Sequence, residues 1–414
     1  MVGPQNSKSA PLESASFKPA SLEPQSPGAT RRTALGLLLA APLLSACANV
    51  QQGLNASSSE PASGGPPQQA TVLGTGRVKV GLILPLSAAG DAGQAAQSMR
   101  NAAEMALAEF QPSNLQLLVK DDAASSAGAQ QGAQEAVAEG AEIILGPVFA
   151  PLVPAAAQVA RARGIPMMSF STDSSVAGRG VYLLSFLPES DVNRIVEYSA
   201  SIGKRSFAAL LPNNAYGSVV EAALKPAVAR RGGRLVAFEK YGTDQAEPAR
   251  TIAQALGRAD ALLLADDGDT VVAVADALTA AGANLRNIQL LGTGQWDNPR
   301  VQASPVLQGG LYAGPDSTAF IAFKGRYHAK YGSEPVRAAT LAYDAVALIA
   351  ALARTQGAQR FSPDVLTNSS GFTSTVNGLF RFRSDGTSDR GLAVMKVATG
   401  GGVTVAGPPK SFSA

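Results

Sequence analysis

Val78-Lys79-Val80-Gly81-Leu82-Ile83-Leu84 is an almost unbroken apolar run, followed by the turn-forming Leu86-Ser87-Ala88-Ala89-Gly90 and an alanine-rich segment over residues 94–110. A strand apolar on both faces belongs to a sheet covered on both sides, and a helix directly after it supplies one cover. The same unit recurs down the chain. Residues 115–120, 142–145 and 166–170 read as strands, with helices at 127–139 and 154–163 between them. A second series starts at 207–211 and continues at 235–239, 261–265 and 289–291. This alternation predicts an α/β chain built as two Rossmann-like lobes, each a parallel sheet flanked by helices, joined by a multi-strand hinge. Residues 181–191 and 310–315 read as crossings between lobes, 338–354 as a long returning helix, and 378–397 as late strands around an Asp385-Gly386 turn. Lobe one is expected to span 77–186 plus about 313–365, and lobe two about 187–312 plus about 372–407.

Ahead of the first strand lies Arg31-Arg32, an apolar run over 34–44, and Leu44-Ser45-Ala46-Cys47. The run is too short to cross a hydrocarbon core of about 30 Å but suits a signal peptide. Leu44 to Cys47 resembles the bacterial lipobox, which implies removal of residues 1–46 and a lipid anchor on Cys47. Residues 30–35 partly match a twin-arginine export signal, and Sec export stays an equal alternative. Cys47 is the only cysteine, so there is no disulfide framework. Residues 47–76, poor in large apolar side chains, read as a flexible tether that cannot offset the entropy of ordering. Asn49 is compatible with either the inner or the outer membrane.

The formal net charge is +3, from 34 basic and 31 acidic residues scattered along the chain. Without a clustered basic face, nucleic acid is not an expected partner.

Several segments resemble the type I periplasmic solute-binding proteins, in particular the leucine/isoleucine/valine-binding family. They are VKVGLILPLS at Val78, ILGPVFAP at Ile144, IPMMSFSTDSS at Ile165, NNAYGSVV at Asn213, ADALLLADDGD at Ala259, YGSEP at Tyr331 and LAYDAVALIAAL at Leu341. LLGTGQWDNP at Leu290, with STDSSVAG and GLFRFRSDG, is most similar to a lipoprotein branch described as penicillin-binding protein activators. The resemblance implies a small-molecule ligand held between the lobes and an ABC permease as partner. The branch implies instead a penicillin-binding protein.

In open parallel sheets, ligands sit where loops leave the carboxyl ends of strands and helices begin. Lobe one offers three such loops, at 87–93, 146–151 and 169–175, and Ser87 is the candidate from the first. By match to the family, Ser171 and Thr172 would meet a ligand carboxylate; the alternative is that these hydroxyls satisfy the turn itself. Lobe two would contribute Tyr216, Asp297 near a ligand amino group, and Trp296 as a stacking wall or a packing residue; Asp266 and Asp267 are further acids at a strand end. Three departures weaken ordinary amino-acid binding: Ala150 stands near the usual serine, Asp173 follows Thr172, and the loop at 87–93 lacks the aromatic residue that often walls the pocket.

Enzyme chemistry has little material. His328 is the only histidine and lies in a charged helix, so a histidine triad or multi-histidine metal site is not expected. Gly292-Thr293-Gly294 lacks a phosphate loop's lysine, and Gly90 with Gly93 lacks the dinucleotide fingerprint. The pair Asp121-Asp122 has no substrate placed opposite it. No cofactor, metal or catalytic residue is assigned.

Overall fold

The computed structural model describes residues 71–112 and 114–412. The leader, the lipobox and Cys47 lie outside the described residues. The expected tether ends sooner than Gly76, because Val72–Leu73 (β1) pairs antiparallel with Leu117 and Leu118 at the open edge of the first sheet.

The first series is β2 (Val78–Leu84), α1 (Gly90–Glu109), β3 (Leu115–Asp121), α2 (Ser126–Ala138), β4 (Ile143–Leu145), α3 (Val153–Ala162), β5 (Met167–Ser169) and β6 (Val181–Leu183). Its sheet runs β1-β3-β2-β4-β5-β6, all parallel except β1. Leu82, Ile83 and Leu84 are each 0% exposed, so both faces of β2 are covered, as its unbroken apolar run requires.

After α4 (Pro188–Ser201) the second series is β7 (Ser206–Pro212), α5 (Ala215–Arg230), β8 (Arg234–Tyr241), α6 (Ala246–Ala255), β9 (Ala261–Leu264), α7 (Gly268–Ala280), β10 (Gln289–Gly292), α8 (Pro299–Ala303) and β11 (Leu311–Gly314). Its parallel strands lie in the order β8-β7-β9-β10-β11. That repeats β3-β2-β4-β5-β6 strand for strand, so the same topology is built twice, with a switch point between the first and third strand of each series.

Residues 181–191 and 310–315, expected as crossings, each begin with a fifth parallel strand, β6 and β11, and the chain crosses only afterwards. Both strands are short and glycine-flanked, and only their pairing identifies them. Then α9 (Ser317–Tyr331) and α10 (Ala339–Thr355) return to the first lobe, where α10 packs along α1. After α11 (Pro363–Leu366), the strands β12 (Phe372–Ser374), β13 (Gly378–Phe382) and β14 (Ser388–Arg390) form a small antiparallel sheet. Its Phe380 and Phe382 lie in the same core as Leu82 and Leu84. Finally β15 (Ala393–Lys396) and β16 (Val403–Ala406) add two antiparallel strands to the second sheet beside β11.

Gly146 is a tight point of the first sheet's loop edge. Its φ is +93° and a Cβ there would stand 2.1 Å from the Ile83 carbonyl oxygen, so Gly146→Ala combines backbone strain with a clash against main chain. It should lower unfolding free energy by roughly 2 kcal/mol or more in a urea titration.

Candidate functional site

In the first lobe short polar bonds tie the loop after β5 to the loop after β4, and the loop after β2 to the end of β3. The Ser169 hydroxyl donates to the Pro147 carbonyl (2.9 Å) and accepts from Ser171 N–H (3.1 Å), stapling the β5 loop to the β4 loop. Ser171 is 2% exposed and its Oγ accepts from Asp173 N–H (3.1 Å). Asp173 in turn accepts from Ser175 N–H (2.9 Å). The Ser171 hydroxyl and amide are therefore both engaged within their own loop, as the turn-satisfying alternative anticipates. Thr172 is exposed at the tip beside them. Ser87 is exposed at the end of β2, its N–H donating to Asp121 Oδ1 (3.2 Å).

On the second lobe, Tyr216 stands at the start of α5, immediately past β7. Its hydroxyl pairs with Thr293 Oγ1 at 2.8 Å, which links the switch point to the end of β10. Burial raises the Tyr216 phenol well above its ordinary pKa, and the carboxylates Asp191 and Asp266 add to that. Tyr241 donates to Asp266 Oδ2 (2.6 Å), and Asp267 caps α7 through the N–H groups of Asp269 and Thr270. Asp267 is thus spent on a helix start.

Trp296 is 0% exposed, and its indole N–H donates to the Leu264 carbonyl at 3.0 Å. A Cβ at Gly292 would fall 2.1 Å from its ring, so the indole lies against bare backbone inside the second lobe. It presents no ring surface to solvent in this structure. Asp297, beside it, is exposed and accepts from Gln302 (3.3 Å) and from the Tyr312 hydroxyl (3.4 Å). Ser87, Ser171 and Thr172 are brought to one edge of the first sheet, and Tyr216 and Asp297 to one edge of the second, with Trp296 beneath the latter.

A set of charged groups at the hinge escaped sequence reasoning. Asp191, in the first turn of α4, accepts from Gly294 N–H at 2.9 Å. Burial pushes its carboxyl up to about 7; the Gly294 bond and Arg390 oppose the rise and Glu189 adds to it. Arg390 is 7% exposed, and its Nε donates to the Ser185 carbonyl (2.7 Å). Asp344 is 2% exposed in α10 and its Oδ2 accepts from Asn377 (2.7 Å); burial raises its pKa. Arg337, just ahead of α10, feels the charges of Asp297 and Asp344, which partly counter a pKa lowered by burial. An acid inside the apolar LAYDAVALIA helix was the one local signal of this cluster. Among the described residues no group of three or more histidine, cysteine or acidic side chains is arranged to hold a metal, and no helix is long and apolar enough to cross a membrane.

The sequence model of the family described as "Periplasmic binding protein" matches residues 77–402. No curated protein matches the chain in sequence. Among solved structures, the chain is similar to a branched-chain amino acid ABC transporter periplasmic ligand-binding protein of Burkholderia xenovorans, at 18% identity and a TM-score of 0.66, covering 82% of this chain and 97% of that one. A solute-binding protein of an ABC transporter from R. palustris, in complex with benzoate, aligns at 18% identity and a TM-score of 0.57 over 82% and 98%. An ABC transporter substrate-binding protein of Desulfitobacterium hafniense, in complex with Leu, aligns at 18% and 0.60 over 79% and 99%. At these identities the likeness is one of fold.

The Asp191 carboxyl holds its proton more tightly folded than unfolded, so its contribution to stability falls as pH rises from about 4 to about 7. Asp191→Asn keeps an acceptor for Gly294 without the charge. Thermal melts should show Tm raised by about 3 °C or more at pH 8 and nearly unchanged at pH 4, flattening the pH profile.

Proposed function

Because the chain belongs to the periplasmic binding protein family, we propose that it captures a small solute, an amino acid or a related carboxylate, in the cleft between its lobes and presents it to an ABC permease. The observation that carries this reading is the doubled switch point. Loops with Ser87, Ser171 and Thr172 leave the carboxyl ends of one parallel sheet, and Tyr216, Asp266 and Thr293 stand at the carboxyl ends of its repeat. Ligands of open α/β sheets bind there, and chain crossings between two such sheets permit hinge closure around them. The relatives in complex with leucine and with benzoate support a carboxylate as the common chemistry. In this reading residues 1–46 are removed in the periplasm, and lipid on Cys47 holds the protein at a membrane through the tether.

The second reading is a lipoprotein activator of penicillin-binding proteins on the same scaffold. It draws on Ala150 in place of the expected hydroxyl and on Ser171, whose amide donates to Ser169 and whose Oγ accepts from Asp173 within its own loop. A ligand that meets fewer donors than it lost from water binds weakly, at about 1–3 kcal/mol per unpaired group.

A thermal-unfolding screen against amino acids, aromatic carboxylates, short peptides and peptidoglycan fragments separates the two. A compound at 100 times its Kd adds about 2.7 kcal/mol and raises Tm by several degrees. We expect such a shift for amino acids or small carboxylates, lost in Tyr216→Ala. A flat response across the small molecules, with capture of a penicillin-binding protein in a pull-down, would overturn solute capture.

A further inference from the structure

We propose that Arg337 and Arg390 form a carboxylate fork at the hinge side of the cleft, taking the charged end of a small organic monoanion whose apolar part lies against Phe186 and Phe320. This rests on reading the cleft as the ligand site, and it places the anion on side chains rather than on the hydroxyl loop at Ser171.

The two guanidiniums share one aromatic neighbour. Arg390 lies 4.8 Å from the Phe186 ring centre and 5.6 Å from that of Phe380, and Arg337 lies 4.2 Å from Phe320 and 5.7 Å from Phe186. Arg390 spends Nε on the Ser185 carbonyl, and Arg337 reaches Asn377 with Nη2 over a long 3.4 Å. Three buried nitrogens, Nη1 and Nη2 of Arg390 and Nη1 of Arg337, meet no acceptor among the described residues. The planar guanidinium is the side chain best shaped to hold a carboxylate by paired N–H bonds, and the two oxygens of one carboxylate, with about four lone-pair sites, can accept from all three nitrogens.

Charge points the same way. Two carboxylates are buried with the arginines: Asp344, which acts on both and whose Oδ2 is committed to Asn377, and Asp191, which acts on Arg390. Asp191 has given Oδ2 to Gly294, and Asp297 and Asp316 approach Arg337 from the more exposed side. Burial raises the pKa of both carboxyls, which lessens the negative charge they hold against the two guanidiniums and leaves the cations incompletely balanced. A buried charge without a partner is far more costly than a neutral polar group, and an apolar hinge would avoid the cost altogether. A ligand monoanion balances it. Phe186, Phe320 and Arg337 are all part-exposed, so the layer covering the donors borders solvent, and a flat apolar body can lie on the two rings.

Calorimetric titration of the full chain with sodium benzoate and sodium 4-methylpentanoate, each beside its neutral amide, tests the fork, and phenyl phosphate tests the charge. At least one carboxylate should bind, its amide and phenyl phosphate should bind at least tenfold more weakly, and Arg337→Gln should weaken the carboxylate by tenfold or more. Arg337→Lys, which keeps the charge without the paired donors, should fall between. If a cooperatively melting Arg337→Gln binds the carboxylate with unchanged Kd, the fork is wrong and cleft capture stands. Should Arg337→Gln fail to fold, an unchanged Kd in Arg337→Lys overturns the fork equally. If neither carboxylate binds the wild-type chain, both the fork and carboxylate capture fall.

Discussion

Arg390 ends the small antiparallel sheet just before the chain enters the second lobe, and its Nε–H reaches back to the carbonyl of Ser185 on the first crossing. Ser190 reaches toward the Ser388 carbonyl, and Arg194 bonds to Leu392 O, so side chains of one crossing repeatedly satisfy the backbone of another. Irregular segments passing between two sheets lack a ladder partner for every polar group, and an unmet buried carbonyl costs about 1–3 kcal/mol. Long cationic side chains solve this locally. They also bring charge into the layer that joins the lobes.

The repeated strand order follows from the same physics in each half. A strand apolar on both faces needs helices on both sides, and parallel strands joined by helices wind in one hand. Once the second strand of each series has paired outside the first, the third takes the other side and a crevice opens between their carboxyl ends. The two crevices carry different chemistry. The first is lined by small hydroxyl residues largely used up in their own turns, and the second by the Tyr216–Thr293 pair and the carboxylates around it. Buried tyrosine hydroxyls paired to neighbours make the second lobe's edge a rigid wall.

Most strands were legible because burial on both faces leaves an unbroken apolar signature: β2 runs over the same residues that the opening stretch predicts. The fifth strand of each series was not, since three or four residues beside glycines carry too little pattern and are defined only by pairing, β6 with β5 and β11 with β10 and β15. The place of Tyr216 at the sheet's end was legible because its tyrosine-glycine turn directly follows a strand. Trp296 was ambiguous from sequence, as the only tryptophan and next to a strand end; its 0% exposure comes from Gly292 and Gly310 leaving room for the indole. Asp191, Arg337 and Arg390 gave no local signal, being distant in sequence and joined only at the crossings.

By itself the sequence determined the α/β class, the two series of strands and the edge of each sheet at which loops gather, because those depend on periodicity and on contacts between neighbours in the chain. The tertiary structure alone decided which hydroxyls are spent in turns, that the indole is core, and that two arginines more than fifty positions apart in sequence meet around Phe186. Burial and charge pairing are properties of what surrounds a residue, and at a hinge the surroundings come from three separate passages of the chain.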